Sequence, residues 1–234
     1  MLRLFNIVLD YVTSFFNTSW KYFQKSYSQE GEDLVLSSCL KERKKGFYVD
    51  VGACHPFRFS NTYLFYKKGW NGINIDANPG SMNLFNKFRQ RDINLEVSIS
   101  NRNKKINFYV FDESALNSFS SELSKRRMIK TNYKIKKIIK LKPEKLSEIL
   151  DKYLPVNTKI NFMSIDVEGY EYQVLLSNNW NKYKPEYLVI EFLDTCLENI
   201  LKTNIYSFIK KKNYFIIGYT GRSVIFKINE NNCN

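Results

Sequence analysis

The chain reads as an α/β domain of the doubly wound, Rossmann-like type, with a mostly parallel seven-stranded sheet that ends in a C-terminal antiparallel hairpin. Three observations predict it. Apolar strand segments alternate with amphipathic helical segments from residue 33 onward. The strands Phe47-Tyr-Val-Asp50, Gly72-Ile-Asn-Ile-Asp76 and Phe162-Met-Ser-Ile-Asp166 each end in an acid. In an open parallel sheet the carboxyl ends share one edge, so these acids converge there, where ligands bind. Finally, the last two strands are joined only by Thr220-Gly221-Arg222-Ser223, too short for a crossover helix.

Taken in order, residues 1–26 form an amphipathic helical segment and residues 27–234 one domain. Leu2, Phe5, Val8, Leu9, Val12, Phe15, Phe16, Trp20 and Phe23 recur at helical spacing. Arg3, Asn6, Asp10, Asn17 and Lys21 interrupt them, leaving no clean apolar run of about 18 residues to span a bilayer. Such a helix packs on the domain, packs on a second subunit in an oligomer, or lies on a membrane surface with Trp and Phe in the interface. The expected strands are 47–51, 72–76, 93–99, 162–166, 187–192, 214–219 and 224–228, and the expected helices are 33–44, 61–68, 82–89, 144–153, 170–177 and 200–212. An insertion at 101–142 adds a strand at 107–111 and a basic, Ile-rich stretch at 133–141. Its position suits a cover over an acceptor site.

The first strand runs into Asp50-Val-Gly52-Ala53-Cys54-His55-Pro56. Gly52 permits a tight turn and close backbone approach to a ligand. The dinucleotide fingerprint needs three glycines, and here bulky Cys54, His55, Pro56 and Phe57 follow a single one, which disfavours pyrophosphate. Asp76, ending the next strand, is placed to accept hydrogen bonds from ribose hydroxyls. A ribose without a pyrophosphate points to S-adenosylmethionine.

At these residues the chain resembles the FkbM family of S-adenosylmethionine-dependent methyltransferases. The resemblance spans about residues 27–192 and rests on five motifs in order: Ser28-Gln29-Glu30-Gly31-Glu32-Asp33, Tyr48-Val-Asp50-Val-Gly52-Ala53-Cys54-His55-Pro56, Ser60-Asn61-Thr62-Tyr63, Asn74-Ile-Asp76-Ala-Asn78-Pro79 and Ser164-Ile-Asp166-Val-Glu168-Gly169-Tyr-Glu171. It implies a class I methyltransferase fold and small-molecule or glycan acceptors. The cofactor contacts it assigns are Asp50, Gly52, Ala53, Asp76 and Asn78, with Ser98 near the adenine. The expected activity is O-methylation of a sugar hydroxyl in surface polysaccharide or nucleotide-sugar metabolism.

Methyl transfer to an alcohol also needs a place for the proton. Asp166 and Glu168, ending the fourth strand, are candidate general bases, and His55, the single histidine, is a third. The alternative for Asp166 is a structural cap on the helix near Tyr170, whereas Glu171 suits the first helical turn. Asp166 and Glu191 also offer oxygen ligands to Mg²⁺ or Mn²⁺. Tyr63, Tyr66 and Trp70 line an acceptor groove or pack in the core.

The 234 residues and 44% hydrophobic content suffice for a proper core without staples. Cys39, Cys54, Cys196 and Cys233 form no C-x-x-C pair, and no secretory leader accompanies them, so a reducing cytoplasm is expected, with peripheral membrane contact as the variant. A net charge of +13 raises nucleic acid as a partner, which defines the alternative function: a nucleic-acid-binding methyltransferase or a non-catalytic binding module. Loose lysine clusters read more simply as solvated surface, with an anionic glycan, a nucleotide-linked sugar or a membrane as other takers. Asp166-Val-Glu168-Gly169 also stands where an amino-methylating enzyme would carry an Asn/Asp-Pro-Pro-Tyr motif.

Overall fold

In the computed structural model, residues 2–20, 23–193 and 195–230 are described. The expectations for Met1, Lys21 and Cys233, and for the side chains of Leu2, Arg3, Phe16, Asn17 and Trp20, fall outside what is described. A helix α1 (Leu2–Trp20) precedes the domain, which then runs α2 (Glu32–Cys39), β1 (Phe47–Val51), α3 (Tyr63–Lys67), β2 (Asn71–Asp76), α4 (Met82–Phe88) and β3 (Ile93–Glu96). The insertion contributes β4 (Ile106–Phe111), α5 (Ser121–Lys130) and β5 (Ile135–Leu141). There follow α6 (Leu146–Tyr153), β6 (Phe162–Ile165), α7 (Glu171–Leu176), β7 (Tyr187–Glu191), α8 (Leu197–Ile200), α9 (Asn204–Lys211), β8 (Tyr214–Tyr219) and β9 (Ser223–Ile228).

The main sheet has seven strands in the order β3-β2-β1-β6-β7-β9-β8. Only β9 runs antiparallel to its neighbours, β7 and β8. This is the expected α/β architecture, hairpin included. The order reverses direction between β1 and β6, whose parallel register pairs Asp50 with Ser164 and Val51 with Ile165. A crevice opens at the carboxyl ends where such a reversal occurs.

Alternating side chains along β1 divide the core in two. Phe47, Val49 and Val51 join Leu146, Leu150, Val174 and Ile209 from α6, α7 and α9 on one face. Tyr48 joins Leu36, Phe65, Trp70 and Phe162 on the other. Trp70 is therefore core, and Tyr63 and Tyr66 stack on each other at 6.3 Å beside Arg89 and Arg91 instead of lining an acceptor groove.

Several boundaries differ from the sequence expectation for local reasons. The third strand stops at Glu96, because Ser98 and Ser100 exchange backbone hydrogen bonds with Glu144 and not with β2. The first domain helix stops at Cys39, since Lys41-Glu42-Arg43-Lys44-Lys45 has no apolar face to bury. The helix expected over 200–212 is two helices, with the Thr203 side chain accepting from Tyr206 N to start the second. In the insertion, β4 and β5 pair antiparallel as a separate two-stranded sheet.

Beneath the crevice lies a buried polar network whose centre, Arg89 with Asp92, no motif signalled. The Arg89 guanidinium, fully buried, pairs with Asp92 at 2.8 Å and donates to Tyr48 Oη, Thr62 Oγ1 and the Pro56 carbonyl. Asp92 in turn accepts from Tyr48 Oη, Gly72 N and Asn74 Nδ2. Thr62 passes the network on to Asp50 at 3.0 Å.

Candidate active site

The turn after β1 is fixed by covalent geometry and close packing. Gly52 N and Ala53 N both donate to the Ile75 carbonyl, at 2.8 and 3.1 Å, which ties the end of β1 to β2. Gly52 has φ +90, and a Cβ there would lie 1.6 Å from the Asp166 carbonyl oxygen. Glycine is thus required for the ends of β1 and β6 to touch, in addition to any approach to a ligand.

Asp76, at the end of β2, has each carboxylate oxygen held by a backbone amide: Oδ1 by Asn78 N at 2.7 Å and Oδ2 by Cys54 N at 2.9 Å. Burial raises its pKa, and these two amides work against that rise. A carboxylate has about four lone-pair sites, so two further donors find acceptors here. The neighbouring Cys54 thiol is no nucleophile, since burial pushes its pKa up to about 12.

Asp76, Ala77 and Asn78 form one wall of a cleft with about 710 Å³ of empty space, open to solvent. Gly52 and Cys54 form its floor, and Asp166, Val167 and Glu168 the opposite wall. The insertion supplies Phe108, Ser114, Ala115, Asn117 and Phe119, and Gln29 and Phe59 complete the rim. A smaller recess adjoins it, lined by Gln29, Glu32, Phe59, Asn61, Glu191, Arg222 and Ser223, and again by Asp166. Asp166 is shared by both.

One ligand oxygen from each of Asp166, Glu168 and Glu191 lies within 4.8 Å of the others. Burial is the main cause of every shift in this cluster: it raises Asp166 to about 6 and Glu168 to about 7. Glu191 rises furthest, to about 12, because Asp166 and Glu168 add like charge to its burial. Glu191 therefore keeps its proton at neutral pH and hydrogen-bonds to an ionised Asp166. The Arg127 guanidinium from α5 pairs with Glu168, while Ser118 Oγ donates to the Glu168 carbonyl at 2.6 Å. The insertion thus holds Glu168 at a positive φ of 54. One proton and one guanidinium balance two of the three acids.

Glu171 takes the amides of the Val167–Gly169 turn, accepting from Val167 N and Gly169 N. It holds the turn before α7, whose N-cap, Tyr170, has no side-chain cap, so the helix-capping role weighed for Asp166 is not taken up. Gly52, Asp76, Asn78, Asp166 and Glu168 share the larger cleft, and Glu191 reaches the recess.

Four other expected site residues do not line either space. Asp50 is buried on the Thr62 hydroxyl, and burial raises its pKa to about 6. Ala53 packs with Met82 and Phe85. Ser98 is buried, and among the described residues its hydroxyl has no hydrogen-bond partner. His55 Nδ1 accepts from Phe57 N and Arg58 N, both at 3.1 Å, so a neutral ring carries its proton on Nε2 and has no free nitrogen to act as base. Burial and Arg58 lower its pKa as well. Gln29, Arg127 and the insertion residues went unselected from sequence, although Gln29 sits in the first of the five motifs.

A family model described as the methyltransferase FkbM domain matches residues 50–216. The chain belongs to the FkbM family. It is an S-adenosylmethionine-dependent methyltransferase. Among solved structures it is similar to methyltransferase FkbM from Methylobacillus flagellatus KT, at 12% identity and a TM-score of 0.48, over 86% of this chain and 48% of that one. A second is precorrin-6y C5,15-methyltransferase from Geobacter metallireducens GS-15, at 13% identity and 0.46, over 88% and 93%. A third is the Burkholderia thailandensis 1,6-didemethyltoxoflavin-N1-methyltransferase, solved with its substrate and S-adenosylhomocysteine, at 9% identity and 0.42, over 97% and 90%. No curated protein matches the chain. No helix among the described residues of this methyltransferase is long and apolar enough to cross a membrane.

Proposed function

We propose that this methyltransferase O-methylates a hydroxyl of a sugar, with Asp166 as the general base. The observation that carries the reading is the place of Asp166, which borders both the larger cleft and the adjoining recess. Asp76 and Asn78 hold the ribose side of the cofactor in the cleft, with Gly52 beneath it. The cofactor supplies an electrophilic methyl group on a sulfonium. Asn61, Gln29 and Arg222, which border the recess, offer hydrogen-bonding groups to the hydroxyls of a polyol bound at its mouth. Asp166, ionised beside protonated Glu191, takes the proton as the acceptor O–H becomes the methyl ether. A buried acid with a pKa near 6 is a stronger base than an exposed one and is still ionised at neutral pH. Positioning adds the larger share, of the order of 7–11 kcal/mol in favourable cases.

Incubation with labelled S-adenosylmethionine and a panel of nucleotide sugars and polysaccharide extracts tests the acceptor class. Label in an alkali-stable methyl ether is expected. Label confined to nucleic acid, with affinity that falls steeply with salt, would support the alternative reading that the +13 charge raises.

Asp76→Ala is expected to weaken cofactor binding about 100-fold or more, since each charge-assisted hydrogen bond contributes about 1.5–3 kcal/mol and the ribose presents two hydroxyls. Calorimetry reads this directly, and unchanged affinity in a folded variant removes Asp76 from the site.

The same three carboxyls are hard oxygen donors of the kind Mg²⁺ and Mn²⁺ take. Arg127 already pairs with Glu168, one of the three, so turnover is expected to survive exhaustive chelation. Loss of turnover that added Mg²⁺ or Mn²⁺ restores would instead assign the cluster to a metal.

A further inference from the structure

Helix α1 presents an uncovered apolar face. Phe5, Ile7, Val8, Leu9, Tyr11 and Val12 are 42–76% exposed. Asn6, Asp10, Thr13 and Asn17 recur at spacings of four, three and four, which confines the polar positions to one side. The apolar arc covers about half of the helix circumference, far wider than the two-in-seven seam of a coiled coil. A wide arc suits a continuous apolar medium better than a single partner helix.

Cations gather around Tyr27 and Tyr66, and Tyr27 stands seven residues along the chain from the end of α1. Lys25 Nζ and Lys67 Nζ lie over the Tyr27 ring at 5.2 and 5.3 Å. Tyr27 packs edge-on against Tyr63 at 4.7 Å, Tyr63 stacks on Tyr66, and Arg91 lies 3.8 Å over the Tyr66 ring. Lys68 stands next to Lys67. The polar partners of Lys67, Lys68 and Arg91 are the Tyr27 hydroxyl, the Ser37 hydroxyl and the Tyr66 carbonyl, all uncharged. All four cations are exposed. They form a basic collar on an aromatic base, close in the chain to the apolar helix.

We propose that this chain docks on an anionic lipid surface, with the apolar face of α1 in the headgroup and acyl boundary and Lys25, Lys67, Lys68 and Arg91 against the headgroup charge. Neither element suffices alone. A helix whose polar face carries almost no cations gains little from anionic lipid, and a collar of four cations without an apolar anchor is screened within a Debye length. Together they supply the two signals that stable peripheral binding requires. The inference stands independently of the acceptor proposed above.

Co-sedimentation of the full chain with lipid vesicles tests it. Wild type is expected to pellet with phosphatidylcholine vesicles containing about one-third phosphatidylglycerol, and about tenfold less with phosphatidylcholine alone. Phe5→Ser/Val8→Ser/Val12→Ser should lose binding to both. Lys25→Glu/Lys67→Glu/Lys68→Glu should lose the preference for anionic vesicles, and calorimetry with S-adenosylmethionine should show both variants folded and binding as wild type does. Wild type that stays in the supernatant with anionic vesicles overturns the proposal, as does a triple-Ser variant that still pellets. A dimer in light scattering that the triple-Ser variant splits, with no vesicle binding by wild type, assigns the face to a second copy and overturns it too.

Discussion

Asp166→Asn is expected to lower kcat by about 10²- to 10⁴-fold, the usual contribution of a positioned general base, while cofactor affinity and melting temperature stay close to wild type. The amide keeps the size of the side chain and can still accept from Glu191, so only the charge and the basicity go. Loss of one like charge from a cluster of three acids relieves repulsion, so any change in stability should be small or favourable. The pH profile gives a second readout. Because burial raises Asp166 to about 6, the ionised base is scarce below that pH, and wild-type kcat should climb as pH rises through it and level off above. Glu168 would move the same climb to about 7, and the coupled cluster reports the apparent value of the set. Glu168→Gln is the comparison, for it also breaks the pair with Arg127 and should disturb the insertion wall of the cleft. If both amide variants keep near wild-type kcat on the true acceptor, neither acid takes the proton. His55 is a poor substitute, given that its Nδ1 is committed to two backbone amides.

What was legible in the sequence was local, or fixed by chain order. Acids at the ends of apolar strands are local signals, and parallel topology brings Asp76 and Asp166 to one edge without further information. The four-residue joint between the last strands likewise admits only a hairpin. Ser98 shows where this stops: a serine near the end of a strand reads as a ligand contact, but the strand ends two residues earlier and the backbone turns to pair with Glu144, leaving the hydroxyl buried. Asp50 and Ala53 belong to the recognised motif, yet one supports the loop through Thr62 and the other packs on α4. A motif marks residues that must be kept, and it does not separate those that touch a ligand from those that hold the ones that do. The insertion was placed over the cleft by position alone, since its aromatic and small polar residues look the same in sequence whether they face a ligand or solvent. Arg89 was invisible for a similar reason. Among 36 lysines and arginines, nothing local marks Arg89 as a guanidinium that is fully buried.

That arginine carries the largest stability effect expected in the molecule. Arg89→Met should cost about 3–5 kcal/mol, because it strands the Asp92 carboxylate in the interior, and a charge left unpaired there costs more than the pair contributed. Gly72 N, Asn74 Nδ2 and Tyr48 Oη still donate to Asp92, so the chain should fold, with a lower midpoint in urea. Arg89→Lys should rescue little of this. An ammonium is a compact point charge and cannot reach Asp92, Tyr48, Thr62 and the Pro56 carbonyl together, as the planar fork does. Arg89→Met/Asp92→Asn is the informative control. With the stranded charge removed and the amide still able to accept from Gly72 N, the double variant should be more stable than Arg89→Met alone. The loss also reaches the site. Pro56 and Thr62 lie in the loop after Gly52, so releasing their bonds to Arg89 loosens the segment whose Cys54 amide orients Asp76. Arg89→Met should therefore weaken S-adenosylmethionine binding at temperatures where it is still folded, whereas an equally destabilising cavity on the opposite face of the sheet, such as Leu150→Ala, should not. Equal cofactor affinity in the two variants would show that the network supports the fold alone and does not shape the cofactor loop.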